Sequence, residues 1–176
     1  RATDAMSGLT DVIVNAGVGR NKPLHAYTDA EWRLVVGVNL DGAFHTLRAA
    51  IPRLLAAGGG NIVTVASLNA SRPLPGEAPY SAAKAALVNL TKTAAVEYAP
   101  AIRANCVSPG MVATALTAMI TDDDDLRAVA EAGTPLGRIG TVDDVAGVIA
   151  FLCSDAARYV TGQEVVVDGG AALPNL

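Results

Sequence analysis

The chain is short of several things, and each shortage narrows what it can be. It has 2 cysteines in 176 residues. Cys106 and Cys153 both lie in apolar surroundings and read as a pair of buried thiols rather than a disulfide. Charged residues make up only 17% against 51% hydrophobic, a balance that excludes a disordered chain. There is no basic excess: 13 Lys and Arg face 17 Asp and Glu, for a net charge of −4 and a pI near 5.0. That sign argues against nucleic acid or an anionic membrane as partner. Long apolar runs are missing too; the longest clean one, Val145 to Cys153, is helix-core material too short to cross a bilayer. His25 and His45, the only histidines, show no metal-ligand spacing. No repeat, low-complexity tract or interdomain linker interrupts the sequence, and no secretory pattern opens it. A single domain over residues 1–176, cytoplasmic, is the expectation.

What is present is an alternation of short apolar runs with long helical ones, the pattern of a parallel sheet with helices on both faces. Strands are expected at Asp11–Asn15, Asn61–Ala66, Ile102–Val107 and Glu164–Asp168. Thr28-Asp29-Ala30-Glu31 forms a capping box and opens a helix towards Ala57, which Gly37, Gly42 and Pro52 should bend. Gly58-Gly59-Gly60 ends it. A loop rich in Pro and Gly, residues 68–79, leads into a helix over Tyr80–Tyr98, with Pro79 where a helix start tolerates it. Residues 111–135 read as a substrate-side excursion, in which the Asp122–Asp125 run starts a solvated helix. Thr141 opens a further helix to about Cys153. Trp32 is expected to pack against a neighbouring helix.

Ligands of open parallel sheets bind at the carboxyl ends of the strands. Here those ends are followed by Asn15-Ala16-Gly17, by Ser67 and by Ser108-Pro109-Gly110, so small and polar residues gather along one edge. Tyr80 opens the helix after the second strand's loop, and Lys84 follows one turn later on the same helix face. An ammonium near a phenol favours the phenolate and should lower the tyrosine pKa. A free tyrosine titrates near ~10, so useful proton transfer at neutral pH asks for about 4 kcal/mol of such preference. Tyr-x-x-x-Lys alone is weak: 4 tyrosines and three lysines produce it by chance in roughly 7% of such chains. Ser67, thirteen residues upstream at a strand end, makes it an enzymatic constellation. Gly37 and Gly42 flank Asn39 inside a helix, where glycine is unfavourable without a reason; a kink that frees backbone groups for water is one.

Together, Asn15-Ala16-Gly17, Asn39 in Val38-Asn39-Leu40-Asp41-Gly42, Ser67, Tyr80-Ser81-Ala82-Ala83-Lys84, Ser108 through Thr114, and Thr161-Gly162-Gln163 through Asp168-Gly169-Gly170 resemble the short-chain dehydrogenase/reductase family, along essentially the whole chain. The resemblance implies a Rossmann-type doubly wound α/β fold and an NAD- or NADP-dependent oxidoreductase that interconverts a secondary alcohol and a ketone. It implies that Tyr80 is the general acid/base, that Ser67 holds the substrate oxygen, that Lys84 binds the nicotinamide ribose and lowers the tyrosine pKa, and that Asn39 holds a water linking Lys84 to solvent. Asn15, Ala16, Gly17, Tyr80, Lys84, Pro109, Gly110, Val112 and Thr114 would line the cofactor. Asn15-Ala16-Gly17 can equally be a plain strand-end turn, and Thr114 can either bond the nicotinamide carboxamide or begin a helix. Helices 29–57 and 80–98, rich in small side chains, would form a homodimer or homotetramer.

The family's opening glycine-rich phosphate turn has no match. Gly17-Val18-Gly19 begins like one, but Lys22 stands where a third glycine is needed. The residue that chooses NAD over NADP is also without a counterpart. The sequence therefore reads as the C-terminal two-thirds of a family chain, without its first three strands, and leaves the strand at 11–15 as a bare sheet edge. The alternative is a truncated, non-catalytic oligomerising relic of the same fold that cannot hold the dinucleotide. Substrate identity resides in the shapes of residues 68–79 and 111–135, whose apolar content suggests a greasy pocket.

Overall fold

A computed structural model describes residues 8–173 of the chain. Four strands, β1 (Asp11–Val14), β2 (Gly60–Val65), β3 (Ile102–Pro109) and β4 (Glu164–Val167), form one sheet in the order β1-β2-β3-β4. Every pairing is parallel; Val12 lies opposite Ile62, Ile62 opposite Ala104, and Val107 opposite Val165. All four expected strands are present, with ends moved by one or two residues.

The helices lie on both faces, which is why β2 and β3 read as unbroken apolar runs. On one face α2 (Gly42–Ala56) and α3 (Ala78–Tyr98) cover the sheet. There Val12, Val14, Ile62, Ile102 and Ala104 pack with Leu47, Ile51, Leu54 and Leu87. On the other, α6 (Val142–Cys153) packs Val145 and Leu152 against Val63 and Val107. Successive residues of β2 thus enter opposite cores, as the two-residue strand period requires. β1 is paired on one side only among the described residues; Val12 and Val14 are buried while Asp11 and Ile13 are exposed.

The helix expected from Asp29 to Ala57 is two α-helices joined by a π turn. α1 (Asp29–Val36) is followed by Gly37–Asp41, where Gly42 N donates to Gly37 O, and then by α2. The Thr28–Glu31 capping box has both arms. Pro52 sits inside α2 without ending it. Helix α3 begins at Ala78, two residues before Tyr80, because Pro79 falls in the first turn, where its missing N–H is not needed. Thr141 caps α6 with a capping box closed by Asp144. Residues 111–135 hold α4 (Ala118–Thr121) and α5 (Asp124–Ala132), and Asp123 caps the latter by accepting from Asp125 N and Leu126 N. Trp32 is 41% exposed rather than packed away. Among the described residues no helix is long and apolar enough to cross a membrane.

Candidate active site at the strand ends

β2 ends at Val65, and its carbonyl is the anchor of the site. Lys84 reaches back from the second turn of α3 and donates to Val65 O at 2.7 Å. Its side chain is 3% exposed, and its Nζ lies over the Tyr80 ring, 5.5 Å from the centroid. The one-turn spacing in the sequence therefore brings phenol and ammonium together as expected. Ser67, two residues past Val65, is in extended backbone and accepts from Asn69 N at 3.2 Å. Its hydroxyl lies near enough to Tyr80 to pull the phenol's pKa down. Ser67, Tyr80 and Lys84 form one cluster.

The electrostatics differ from the expectation. The Tyr80 phenol is raised above its ordinary value, chiefly because it is buried; the Ser67 hydroxyl acts against the rise and the Glu77 carboxylate adds to it. Burial also lowers Lys84, to about 8, with only a small opposing pull from Cys106. Desolvation acts on both charged forms at once. The pair is therefore held closer to neutral phenol and neutral amine than a solvated model predicts, and the expected lowering of the tyrosine pKa is absent from this state of the protein.

Asn39 enters from the π turn. Its Nδ2 donates to Val35 O and to Val18 O, each at 2.8 Å. Asn39 is 1% exposed, and its Oδ1 is buried without a hydrogen-bond partner. A buried acceptor left open is a place for water or a ligand group. Gly17 closes the same corner: a Cβ there would stand 2.8 Å from Asn39 Oδ1 and 3.5 Å from Lys84 Nζ. Glycine at 17 keeps open a space onto which the lysine and the orphaned oxygen both face. Asn15 and Ala16, just beyond β1, are exposed beside it.

The β3 residues stand at the neighbouring strand end. Pro109 pairs with Val167, and Gly110 N donates to Val167 O at 3.0 Å. A Cβ on Gly110 would meet Asp168 Cβ at 2.7 Å, so glycine is needed for the chain to pass β4. Val112 bridges to Gly140. Thr114 is exposed in a turn ahead of α4, bonded to Thr117. These residues share the carboxyl edge of the sheet but are held by β4 and the 140 segment, apart from the hydrogen bond of Lys84. Two residues escaped sequence reasoning. Asn69, buried, donates through Nδ2 to Glu77 Oε2, which ties the loop after β2 to the start of α3. The only signal was Glu77's place one turn before Tyr80.

Comparison with known proteins identifies the family. The family model described as enoyl-(acyl carrier protein) reductase matches residues 1–172. A tropinone reductase homologue of Arabidopsis thaliana is 39% identical over 173 residues, covering 97% of this chain and 64% of its own length. Cis-4-hydroxycyclohexanecarboxylate dehydrogenase of Sinomonas cyclohexanicum is 41% identical over 172 residues, covering 97% and 68%. A gluconate 5-dehydrogenase from Burkholderia cenocepacia, solved in complex with NADP and tartrate, superposes with a TM-score of 0.93 at 34% identity, covering 98% of this chain and 68% of that one. The chain belongs to the short-chain dehydrogenase/reductase family, with its Rossmann-type fold. It spans about two thirds of the length of these relatives.

Proposed function

We propose that this chain carries the catalytic half of an NAD(P)-dependent oxidoreductase that interconverts a secondary alcohol and a ketone. The observation that supports it best is a lysine only 3% exposed, bonded to a strand-end carbonyl at 2.7 Å, with its ammonium 5.5 Å from the Tyr80 ring centroid. A nicotinamide cofactor, when bound, supplies or accepts the hydride. Gly17 fits such a group, since a side chain there would fill the space onto which Asn39 Oδ1 and Lys84 Nζ face; Asn15, Ala16, Pro109, Gly110, Val112 and Thr114 line the same edge, and Lys84 and Tyr80 complete the contacts.

In the reducing direction Ser67 donates a hydrogen bond to the carbonyl oxygen and fixes its position. Tyr80 gives that oxygen its phenolic proton. Burial keeps Tyr80 protonated at neutral pH, which is the form an acid must start in. The phenolate left behind is stabilised by the Lys84 ammonium, and pairing with it raises the lysine pKa again. Asn39 Oδ1 holds a water at the corner shared with Lys84, through which the proton is returned. In the oxidising direction the same groups run in reverse. The substrate is a small molecule. Helices α2 and α3 expose Phe44 and Val96 and form the contact between copies in a homodimer or homotetramer.

Replacing Tyr80 with Phe removes the proton and keeps the ring. Ketone-dependent oxidation of NADPH or NADH should be lost, while cofactor binding, followed by nicotinamide fluorescence, survives. Retained turnover would falsify the role given to Tyr80.

A further inference from the structure

The carboxylate of Glu77 lies near the reacting centre, and the mechanism above does not use it. It lies at the N-cap of α3, one turn before Tyr80, and is half-buried. Its side chain caps nothing: there is no bond from it to the helix's free N–H groups. Instead Oε2 accepts from Asn69 Nδ2, and Asn69 N in turn donates to the Ser67 hydroxyl beside Tyr80. The carboxylate is thus built into the wall that positions the two substrate-facing hydroxyls. The neighbouring segment fixes it from the other side, because Gly76 O accepts from Lys22 N at 2.9 Å and from Tyr27 Oη at 2.7 Å.

A half-buried carboxylate is stabilised by a cation, and none of this chain's described cations supplies one. Lys22 is paired with Glu31. Lys84 donates to Val65 O, Arg20 to Gly19 O and Arg72 to Ala171 O. Among the described residues no ion pair involves Glu77. Its charge meanwhile opposes formation of the Tyr80 phenolate, and burial lifts its own pKa. A positive group arriving with the substrate relieves both, by pairing with the carboxylate and by cancelling its field at the phenol.

We propose that Glu77 is a specificity-determining residue that gives the site a preference for ketones and alcohols bearing a positively charged nitrogen. The inference rests on the alcohol–ketone reading above. Asn69 holds the carboxylate in place, and Ser67 and Tyr80 receive the oxygen of the same molecule.

The test is a pair of isosteric ketones, N,N-dimethyl-4-oxopiperidinium and 4,4-dimethylcyclohexanone, which differ in a permanent charge and not in shape. They are compared with NADPH or NADH as the reductant, in wild type and in Glu77→Gln, which keeps an acceptor for Asn69 Nδ2. Wild type should favour the cation in kcat/KM by at least tenfold. Glu77→Gln should bring the cation-to-neutral ratio of kcat/KM down to within about twofold of one, whatever the variant does to the absolute rate on the neutral ketone. Glu77→Lys should invert it in favour of 4-oxocyclohexanecarboxylate. An unchanged cation-to-neutral ratio in Glu77→Gln, including equal losses on both ketones, overturns the proposal. Turnover of neither ketone by wild type counts against the alcohol–ketone reading instead. Calorimetry with N,N-dimethyl-4-hydroxypiperidinium then decides Glu77 alone: a fivefold weaker Kd in Glu77→Gln keeps the subsite, and equal affinities remove it.

Discussion

At the ends of β2 and β3 polar groups are the buried ones; in residues 111–137 apolar groups are the exposed ones. Asn39, Lys84 and Ser108 are almost wholly enclosed, whereas Met119 is 76% and Val129 71% exposed. Burying an amide, an ammonium and a hydroxyl is unfavourable unless each finds a partner. Ser108 has Glu164 at 2.6 Å and Lys84 has Val65 O, but Asn39 Oδ1 has none. An acceptor left open in so dry a place carries a penalty, and a dry site magnifies every charge placed in it. The outer segment has no such fixed polar frame. Its leucines, methionine and valine leave an apolar surface open to solvent.

Substitutions on the two sides should separate sharply. Tyr80→Phe is expected to have the largest effect, a loss of about 10²- to 10⁴-fold in turnover, the usual worth of a positioned acid or base. Ile62→Ala, at a fully buried β2 position, should lower unfolding stability by about 2–5 kcal/mol in denaturant titrations. Lys84→Met sharpens the comparison through pH. The folded lysine loses its proton near 8, and the unfolded one near its ordinary ~10.4. Between those values the unfolded chain binds more protons, so wild-type stability rises with pH. Below the window the full burial penalty applies. The Met variant lacks that rise, and the difference between the two curves should grow by on the order of 1–3 kcal/mol between pH 7.5 and 10.5. Thr141→Ala removes the cap of α6 and should cost about 1 kcal/mol. Met119→Ala, on the exposed side, should change stability by less than about 0.5 kcal/mol. A Met119 effect as large as that of Ile62 would erase the contrast.

Much of the enclosed region was legible because its signals are local. Apolar runs of strand length, the Thr28 capping box and the glycines around Asn39 each act within a few residues, and each produced the expected element. Tyr80 and Lys84 share a helix, so their meeting follows from its pitch. What was not legible depends on distant chain. Lys84's hydrogen-bond acceptor is a carbonyl nineteen positions upstream. The pKa of Tyr80 was expected to fall under a cation's influence and instead rises, since how deeply a phenol is buried is decided by packing and not by spacing. The Asn69–Glu77 pair closes a loop whose shape no periodicity encodes. The likeness to the short-chain dehydrogenase/reductase family named the residues, but the balance between desolvation and charge belongs to the folded chain alone.

The π turn has an implication for what this chain can tolerate. A bulge of this kind shifts the phase of everything beyond it, since each residue of an α-helix turns the side-chain direction by about 100°. Deleting one residue from 37–41 would let α1 and α2 fuse into a regular rod, and Leu47, Ile51 and Leu54 would rotate away from the sheet they now cover. The same deletion would withdraw the carboxamide that ties Val18 to Val35. Packing register and the corner around Asn39 are therefore set by one irregular turn, and neither can be altered without disturbing the other.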